Sequence, residues 1–496
     1  MRFVVLASVL LPALASGETR SVPVCADGSC KSVIQVDDQG KIRHFTTPQG
    51  LGATDLETMF DVDPTLGAGK TVAVVDAFGY QEIEADLAVY RQQYGLPACT
   101  VASGCLTILN SEGQTTPLAP DTDQMWIGET GLDVDMVSAA CPLCNIVVVQ
   151  AAGDGLDGLQ IGQLVAAKLN VDAISDSWGG DEYQGVTDNE GDYNNAGIGT
   201  FVSSGDGGFA GGAEYPSTSA YAIAVGGTGI GSDGSAQAWI LSQSGCSSQV
   251  PKQPWSPSVA PCPMRASADI SAYADDRNPG IATYSLGSWT TVGGTSASSP
   301  FSAALFTAAG HGDARATFVY AHADAFTDVT QGSSGGCGSI LCTGAVGWDG
   351  PTGLGTPDQG KLVAIGNMVG GGPTPMIGYP SDGATLMTGF TIQMGSGDTA
   401  VWTQVQIDGS NAARLATAGT TTAPLWVTDG SHTLTFTSYD QDHNSGSATI
   451  TVTVGDDTSM MGGGGGGGCC SASGGGPSSL LLFAIGAFAM RRRRQS

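Results

Sequence analysis

Short apolar runs alternate with stretches of helix-forming residues between residues 49 and 368, and this is the strongest pattern along the chain. Apolar runs that predict buried strands lie at residues 71–76, 145–151, 173–175, 200–204 and 220–225. Helices are predicted between them, at residues 82–94 and 155–170. Strands separated by helices favour a parallel sheet with helices on both faces, which binds ligands beyond the carboxyl ends of its strands. Asp76 and Asp206, near the ends of predicted strands, are therefore candidate site residues.

The pattern changes after residue 372, where the apolar runs become shorter and alternate with polar positions. Four such runs lie at residues 390–394, 401–407, 433–437 and 448–454. Residues 373–455 are therefore predicted to form a small all-β sandwich of the immunoglobulin-like type. This part of the chain holds no cluster of reactive side chains, which indicates a spacer or a binding module.

Both ends of the chain carry features of sorting signals. Residues 1–16 combine a basic flank, an apolar stretch and small residues, which predicts an export signal; a buried first strand is the alternative. Residues 17–48 form a short segment that is too small to build a core of its own. A Gly-rich linker at residues 456–478 precedes an apolar run and an arginine cluster at residues 479–496, which predict a transmembrane helix acting as a sorting or anchoring tail.

The charge of the chain limits its partners, and its cysteines indicate its compartment. The 496 residues include 18 Lys and Arg against 46 Asp and Glu, and the formal charge of -28 argues against binding to nucleic acid or to an anionic membrane surface. Twelve cysteines in an exported chain predict disulfides. Proximity predicts the pairs Cys25–Cys30, Cys99–Cys105, Cys141–Cys144, Cys246–Cys262 and Cys337–Cys342. A zinc site at Cys141 and Cys144 is the alternative, but no second pair of ligands stands nearby.

The strongest local motif for chemistry is the Gly-rich turn at residues 293–300, which delivers Ser296 to the start of an apolar helical run at residues 301–309. Backbone N–H groups at a helix N-terminus stabilise an oxyanion, so a serine held there suits a nucleophile. Pro300 is expected in the first helical turn, where proline is tolerated. An ordinary helix N-cap is the alternative, and this motif alone leaves both interpretations open.

A serine nucleophile needs a base, and the sequence offers carboxylates rather than an imidazole. The five histidines are His44, His311, His322, His432 and His443. None lies between residues 45 and 310, which excludes the order Asp, His, Ser, and His311 lies at the far end of the helical run that follows Ser296. Glu129 and Asp133 are four residues apart and would share one helix face, where two close carboxylates raise one apparent pKa. A solvated acidic face is the alternative for this pair.

Asp206 lies in a third motif, the Gly-rich stretch at residues 203–208 that follows a predicted strand. A protonated carboxyl at that position can donate a hydrogen bond to an oxyanion. An Asx-turn in an ordinary loop is the alternative.

In chain order, Glu-x-x-x-Asp, Ser-Gly-Asp and Gly-Thr-Ser-x-x-x-Pro resemble the motifs of the sedolisins, the serine-carboxyl peptidases of the subtilase superfamily. The resemblance covers residues 49–368 and implies a monomeric, subtilisin-like α/β domain that cleaves proteins or peptides at acidic pH. It also implies a role for each motif residue: Ser296 as nucleophile, Glu129 as its base, Asp133 as the group that orients Glu129, and Asp206 as oxyanion stabiliser.

Further sites follow from the same resemblance. Ser177 and Gly179 would line the substrate as part of an extended strand. One calcium site is implied, with oxygen ligands in Gly-rich loops. Its ligands would be the side chains of Asp328 and Asp349 and the carbonyl oxygens of Val329, Ala345 and Gly347.

Two features modify this interpretation. The tail resembles the MYXO-CTERM type of bacterial surface-sorting tag, which implies a surface-attached or released protein. Sedolisins usually carry a large N-terminal prodomain, whereas residues 17–48 are few, so a catalytically silent surface binding protein is the alternative function. A serine esterase is a third possibility, but Ser296 does not stand in a Gly-x-Ser-x-Gly motif.

Overall fold

The computed structural model describes residues 20–365, 372–395, 400–416, 419–424, 427–440 and 444–455. The predicted export signal, the Gly-rich linker and the tail lie outside these residues and stay predictions. The chain divides into two compact units, residues 1–455 and residues 456–496, and every described residue belongs to the first. Among the described residues no helix has the length and apolar character needed to cross a membrane.

A mostly parallel sheet forms the centre of the molecule. Its strands in spatial order are Ala236–Ala238, Ala222–Ile230, Gly199–Ser203, Ala173–Asp176, Thr71–Ala77, Asn145–Ala151 and Leu106–Asn110, with Ile270–Tyr273 also paired to Ala222–Ile230. Neighbouring strands run parallel except for the first, which is antiparallel. Almost every residue of the central strands is buried, as expected when helices cover both faces. The predicted α/β fold class is confirmed, and each of the five predicted strands is present.

The helices cover this sheet, and two long ones pack against each other. The α-helices are Ala53–Met59, Ile83–Gln93, Gln124–Ala140, Leu156–Ala166, Gly208–Gly211, Thr295–Ala308, Ala316–Ala321 and Gln359–Ala364, with 3-10 helices at Val186–Asp192 and Ala323–Ala325. Helix Gln124–Ala140 begins at Asp123, whose carboxylate accepts hydrogen bonds from the first-turn N–H groups. It contacts helix Thr295–Ala308 along much of its length, and both are buried nearly all round. The predicted site residues Glu129, Asp133 and Ser296 therefore lie on facing helices.

The N-terminal segment forms part of the folded body of the molecule. It contributes two strands to a four-stranded sheet in the order Arg20–Pro23, Val33–Val36, Ser288–Gly293 and Ile281–Ser285. Its apolar residues, among them Val24 and Ile34, join the main hydrophobic core. Elsewhere three short antiparallel ladders form: Gly180–Asp181 with Glu214–Tyr215, Gly245–Pro251 with Met264–Ser267, and Phe326–Thr327 with Thr356–Pro357. The N-terminal segment therefore packs into the main core, because it is too small to form a core of its own.

All five predicted disulfides form. They are Cys25–Cys30, Cys99–Cys105, Cys141–Cys144, Cys246–Cys262 and Cys337–Cys342. Because Cys141 and Cys144 bond to each other, neither is available as a zinc ligand.

Two further sheets form the predicted all-β sandwich. One has the order Ile377–Tyr379, Thr391–Met394 and Thr420–Thr422, and the other has the order Thr385–Leu386, Ser445–Val454, Gly430–Tyr439, Trp402–Ile407 and Ser410–Ala416. Side chains from both sheets, such as Ile392 and Phe436, share a hydrophobic core that is separate from the main one. Four of these strands were missed in the sequence because they are short or carry few apolar residues: Ile377–Tyr379, Thr385–Leu386, Ser410–Ala416 and Thr420–Thr422.

The sandwich contacts the α/β part of the chain at the amino-terminal edge of the central sheet. Arg414 donates hydrogen bonds to the carbonyl oxygens of Val171 and Gly197, which precede two of the parallel strands. Trp402 Nε1 donates to Asp313 Oδ2 over 2.7 Å. A Cβ at Gly197 would collide with both Trp402 and Arg414, so this contact needs a glycine there. The predicted site residues Asp76 and Asp206 lie at the opposite, carboxyl-terminal edge of the sheet.

Candidate active site

Ser296 is the second residue of helix Thr295–Ala308, and it is fully buried. Gly294 precedes the helix with φ +118°, a conformation that favours glycine. A Cβ at Gly294 would also collide with the carbonyl oxygen of Lys31 and with Cα of Ser32. The glycine therefore lets another stretch of backbone approach the serine closely.

Pro300 lies inside the helix rather than in its first turn, because the helix begins at Thr295, earlier than expected. A proline at this position has no N–H to donate to the carbonyl oxygen of Ser296, four residues before it. That oxygen instead lies 3.3 Å from the hydroxyl of Ser177, whose shorter hydrogen bond, of 2.8 Å, goes to Asp133. The proline thus frees a backbone acceptor that ties the helix to the strand segment carrying Ser177.

Glu129 faces Ser296 from helix Gln124–Ala140. Its carboxyl is fully buried, and burial raises its pKa to about 8, while hydrogen bonding from the hydroxyls of Ser296 and Ser32 lowers it in part. The Ser32 hydroxyl donates to Glu129 Oε2. The Ser296 hydroxyl donates to the carbonyl oxygen of Ser177 over 3.3 Å. The Ser296 hydroxyl is therefore close enough to Glu129 to affect its pKa, while its own hydrogen bond goes to the Ser177 carbonyl oxygen.

Asp133 lies one helical turn after Glu129 and is also fully buried. Its Oδ1 accepts a hydrogen bond of 2.8 Å from the Ser177 hydroxyl. Burial raises its pKa well above the usual range, and the charges of Asp76 and Glu129 raise it further. The predicted pair is thus a buried, electrostatically linked pair rather than a solvated acidic face.

Two further carboxyls at strand ends belong to this cluster. Asp76 lies near the end of strand Thr71–Ala77, and burial raises its pKa to about 7. Asp176 ends strand Ala173–Asp176, and burial raises its pKa well above the usual range, with a further contribution from the charge of Asp76. Asp76 is a candidate from the sequence because it ends a predicted strand, but the sequence indicates no role for it. No sequence feature distinguishes Asp176 from the neighbouring Ser177.

Asp206 approaches Ser296 from the loop after strand Gly199–Ser203. Its Oδ1 accepts hydrogen bonds from the N–H (2.8 Å) and the hydroxyl (2.9 Å) of Thr295. Its Oδ2 is buried with no hydrogen-bond partner in the described part of the chain, and it faces Gly294. Burial raises the pKa of Asp206 well above the usual range. A protonated Oδ2 can therefore donate a hydrogen bond into the space beside Ser296.

Ser177 and Gly179 form an extended edge beside this cluster. Between them Trp178 is fully buried, and its Nε1 donates to the carbonyl oxygen of Val75 over 3.0 Å, which anchors the edge to the central sheet. The main-chain groups of Ser177 and Gly179 pair with residues 29–31 of the N-terminal segment. No pattern of residue types predicts this contact.

The residues of the expected calcium site lie together in loops away from this cluster. Asp349 is buried, and its pKa is raised to about 7, mainly by burial and also by the charge of Asp328. Asp349 Oδ2 accepts a hydrogen bond from the N–H of Ala345 (2.9 Å), and Asp328 Oδ2 accepts one from the N–H of Gly347 (2.8 Å). Two neighbouring carboxylates without a cationic side chain fit a hard cation. Among the described residues no group of three or more His, Cys, Asp or Glu side chains could hold a metal ion, so any such site depends on backbone oxygens.

His311 does not face the serine. Its Nε2 lies 3.0 Å from the carbonyl oxygen of Leu362, and its ring packs against Phe318. The groups that face Ser296 are therefore carboxyls and hydroxyls, without an imidazole among the described residues.

Comparisons with known proteins agree with this geometry. No family model matches the chain. Over 110 residues the chain is 39% identical to tripeptidyl-peptidase sed1 of Aspergillus fumigatus and 33% identical to aorsin of Aspergillus oryzae, and each match covers 20% of this chain and 16% of the relative. The matched segment is thus a small part of these curated relatives. A solved structure of Pseudomonas sedolisin, a serine-carboxyl proteinase complexed with two molecules of pseudo-iodotyrostatin, is similar with a TM-score of 0.55 and 24% identity over 64% of this chain and 98% of that chain. The fold is therefore sedolisin-like, and the similarities support a relationship to sedolisin-like peptidases.

Proposed function

We propose that this chain is a serine-carboxyl endopeptidase of the sedolisin type that hydrolyses peptide bonds of proteins or peptides at acidic pH. One observation carries the proposal: a buried serine at a helix N-terminus lies against a buried carboxyl, with a second buried carboxyl, that of Asp206, facing the same space. The sedolisin-like fold and the two partial sequence matches support it.

In this mechanism Ser296 Oγ attacks the carbonyl carbon of the substrate while Glu129 takes its proton. Asp133 would orient Glu129 by keeping its own proton, so that the two carboxyls share one negative charge. The oxyanion accepts hydrogen bonds from the N–H of Ser296 and from protonated Asp206. Glu129 then gives the proton to the leaving amine, and water hydrolyses the acyl-enzyme by the same steps in reverse order.

An acidic working range fits the proton requirements of these groups. Asp206 must carry a proton to donate to the oxyanion, and its raised pKa keeps it protonated in acid. Glu129 must be ionised, while its neighbour Asp133 keeps its proton because burial and the charges of Asp76 and Glu129 raise the pKa of Asp133. Burial is the main cause of the raised pKa of Glu129, whereas the hydrogen bonds from Ser296 and Ser32 lower it. Ionisation of Glu129 in acid therefore requires water to reach the carboxyl, which relieves the effect of burial.

The proposed calcium site stabilises the loops that carry Asp328 and Asp349. The two side chains and the carbonyl oxygens of Val329, Ala345 and Gly347 would hold the ion, whose charge would compensate buried Asp349 and the neighbouring, exposed Asp328. The ion would act on stability and take no part in the peptide-bond chemistry.

The proposed location is outside the cell, at the surface or released. Five disulfides form in the described residues, and such bonds persist in oxidising compartments. The export signal and the tail, both outside the described residues, would deliver and attach the chain. The sandwich would serve as a spacer or a binding module.

Cleavage of casein or haemoglobin near about pH 4 tests the function. We expect the wild type to cleave, and Ser296→Ala and Glu129→Gln each to lose at least about a thousandfold in rate. Ser302→Ala is the matched control, because Ser302 is a buried serine of the same helix that lies after the site. The proposal is wrong if a folded wild type cleaves nothing between about pH 3 and pH 7, or if Ser296→Ala cleaves as fast as the Ser302→Ala control.

A further inference from the structure

Residues 29–32 of the N-terminal segment lie along the edge formed by Ser177 and Gly179. The N–H of Lys31 donates to the carbonyl oxygen of Ser177 over 3.1 Å, and the N–H of Gly179 donates to the carbonyl oxygen of Ser29 over 3.2 Å. An isolated antiparallel bridge joins Cys30 and Trp178. The segment therefore adds one strand to this edge, which is a common way to bind an extended peptide.

The carbonyl group of Lys31 lies where a reacting carbonyl would lie. The N–H of Ser296, the proposed oxyanion donor, donates to the Lys31 carbonyl oxygen over 2.8 Å. Gly294, which faces both this oxygen and Asp206 Oδ2, has no Cβ to separate them. Ser32, the next residue, donates its hydroxyl to Glu129. The peptide bond between Lys31 and Ser32 thus lies between nucleophile, base and oxyanion donors.

The side chain of Lys31 fills an acidic pocket. Its ammonium group forms an ion pair of 2.6 Å with Glu214 and donates to the carbonyl oxygen of Gly28, also over 2.6 Å. The Lys31 side chain is 6% exposed and that of Glu214 is 13% exposed. A Cβ at Gly179 would come within 3.4 Å of both Lys31 Cε and Glu214 Oε2, so the glycine makes room for a long basic side chain.

We infer that residues 29–32 occupy the substrate cleft as the chain's own first substrate, and that Glu214 makes this cleft select Lys or Arg on the amino side of the cleaved bond. This inference rests on the proposed function for its cleavage step. A buried carboxylate left without a cation is costly, so the pocket favours a basic side chain over an apolar one of the same length.

The cleavage step is an ordinary peptide hydrolysis. Ser296 Oγ bonds to the carbonyl carbon of Lys31, and its proton passes through Glu129 to the amine of Ser32 as the carbon–nitrogen bond breaks. Water then hydrolyses the ester, which leaves a carboxylate on Lys31 and restores Ser296. Strand Arg20–Pro23 remains paired with Val33–Val36 after the cut, so release of the cut segment is a separate step that opens the cleft.

The first experiment tests whether residues 29–32 occupy the cleft, and it does not depend on catalysis. Full-length Ser296→Ala protein is treated with an amine-acetylating reagent, and acetylation of Lys31 is compared by mass spectrometry with that of exposed Lys41. We expect Lys31 to react at least about tenfold more slowly than Lys41, and to react faster when Glu214→Gln is added. Equal rates for Lys31 and Lys41 would overturn the inference whatever the activity of the wild type.

The second experiment measures the preference of the cleft for a basic residue before the cleaved bond. Wild type held in acid should yield a new N-terminus at Ser32, and it should cleave a peptide with Lys before the bond at least about tenfold faster than the same peptide with norleucine. Glu214→Gln should reduce this preference about tenfold, while Asp181→Asn, which removes an exposed carboxylate from the strand paired with Glu214, should leave it unchanged.

The outcomes separate the two proposals. Casein cleavage with no preference for Lys, or with a preference that Glu214→Gln does not change, overturns the inference and leaves the proposed function standing. Protection of Lys31 in a protein that cleaves no peptide overturns the proposed function and the cleavage step, and supports the docking alone.

Discussion

The carboxyl of Asp206 holds Thr295, the residue just before the proposed nucleophile, through two hydrogen bonds to one oxygen and leaves its other oxygen facing the reaction space. Asp206→Asn keeps the accepting oxygen and replaces the protonated one with an amide that donates at every pH. We expect it to retain substantial activity and to lose less of it as pH rises than the wild type does. The check is the pH dependence of kcat on a peptide substrate.

Asp206→Ala is the comparison for Asp206→Asn, because it removes the whole carboxyl group. It removes both the hold on Thr295 and the oxyanion donor, and we expect kcat to fall about 100-fold to 1,000-fold. Asp206→Asn with the same loss as Asp206→Ala would contradict a donor role for this residue.

Asp76, on a neighbouring strand, should affect the pKa of the proposed base Glu129. The charge of Asp76 raises the pKa of Glu129, so Asp76→Asn should lower that pKa. We expect the acid limb of the kcat/KM profile to move to lower pH. Asp328→Asn, which lies in the proposed calcium loops, is the control and should leave the limb in place. A shift of the limb to higher pH in Asp76→Asn would contradict the coupling.

Stability should fall as pH rises. Burial raises the pKa of Asp76 to about 7 and that of Glu129 to about 8, whereas in the unfolded chain both lie near about 4. The folded state therefore binds more protons between these values, and its free energy of unfolding decreases by up to about 1.4 kcal/mol per pH unit for each group. Thermal unfolding of Ser296→Ala, which cannot digest itself, should give a Tm that drops between about pH 4 and pH 8.

The same scan on Ser296→Ala with Glu129→Gln provides the comparison. A glutamine does not titrate, so the slope of Tm against pH should be smaller. A Tm that rises across this range in both proteins would show that the buried carboxyls do not dominate the pH dependence.

Calcium removal should destabilise the chain if the proposed site is occupied. We expect a chelator to lower the Tm of Ser296→Ala and added calcium to restore it. At a calcium concentration a hundredfold above Kd, the free energy of unfolding should rise by about 2.7 kcal/mol. Asp349→Ala should abolish this response, because Asp349 is the buried member of the pair. A calcium response of the same size in Asp349→Ala would place the ion elsewhere.

Much of the fold and part of the site could be predicted from the sequence for clear physical reasons. Fully buried parallel strands require apolar runs, so strands such as Asn145–Ala151 stood out. The spacing of Glu129 and Asp133 fixed one shared helix face. Cysteines a few residues apart had few partners to choose from, and the local pairs form.

The contacts of the N-terminal segment could not be predicted. Ser29, Lys31 and Ser177 meet through main-chain hydrogen bonds, which any sequence can make and which leave no pattern of residue types. The ion pair of Lys31 with Glu214 depends on a fold that brings distant parts of the chain together. Pro300 was misplaced because the helix begins before the apolar run that revealed it.

The contact between the sandwich and the central sheet has a consequence for modularity. Arg414 donates hydrogen bonds to the carbonyl oxygens of Val171 and Gly197 and forms an ion pair with Asp172. The sandwich therefore packs against the amino-terminal edge of the central sheet and is part of the folded structure there. A truncated protein ending before residue 373 would lack Arg414 and would expose the carbonyl oxygens of Val171 and Gly197 to solvent. A ligand bound by the outer strands of the sandwich would lie beyond the opposite edge of the central sheet from the candidate site and would leave that site free.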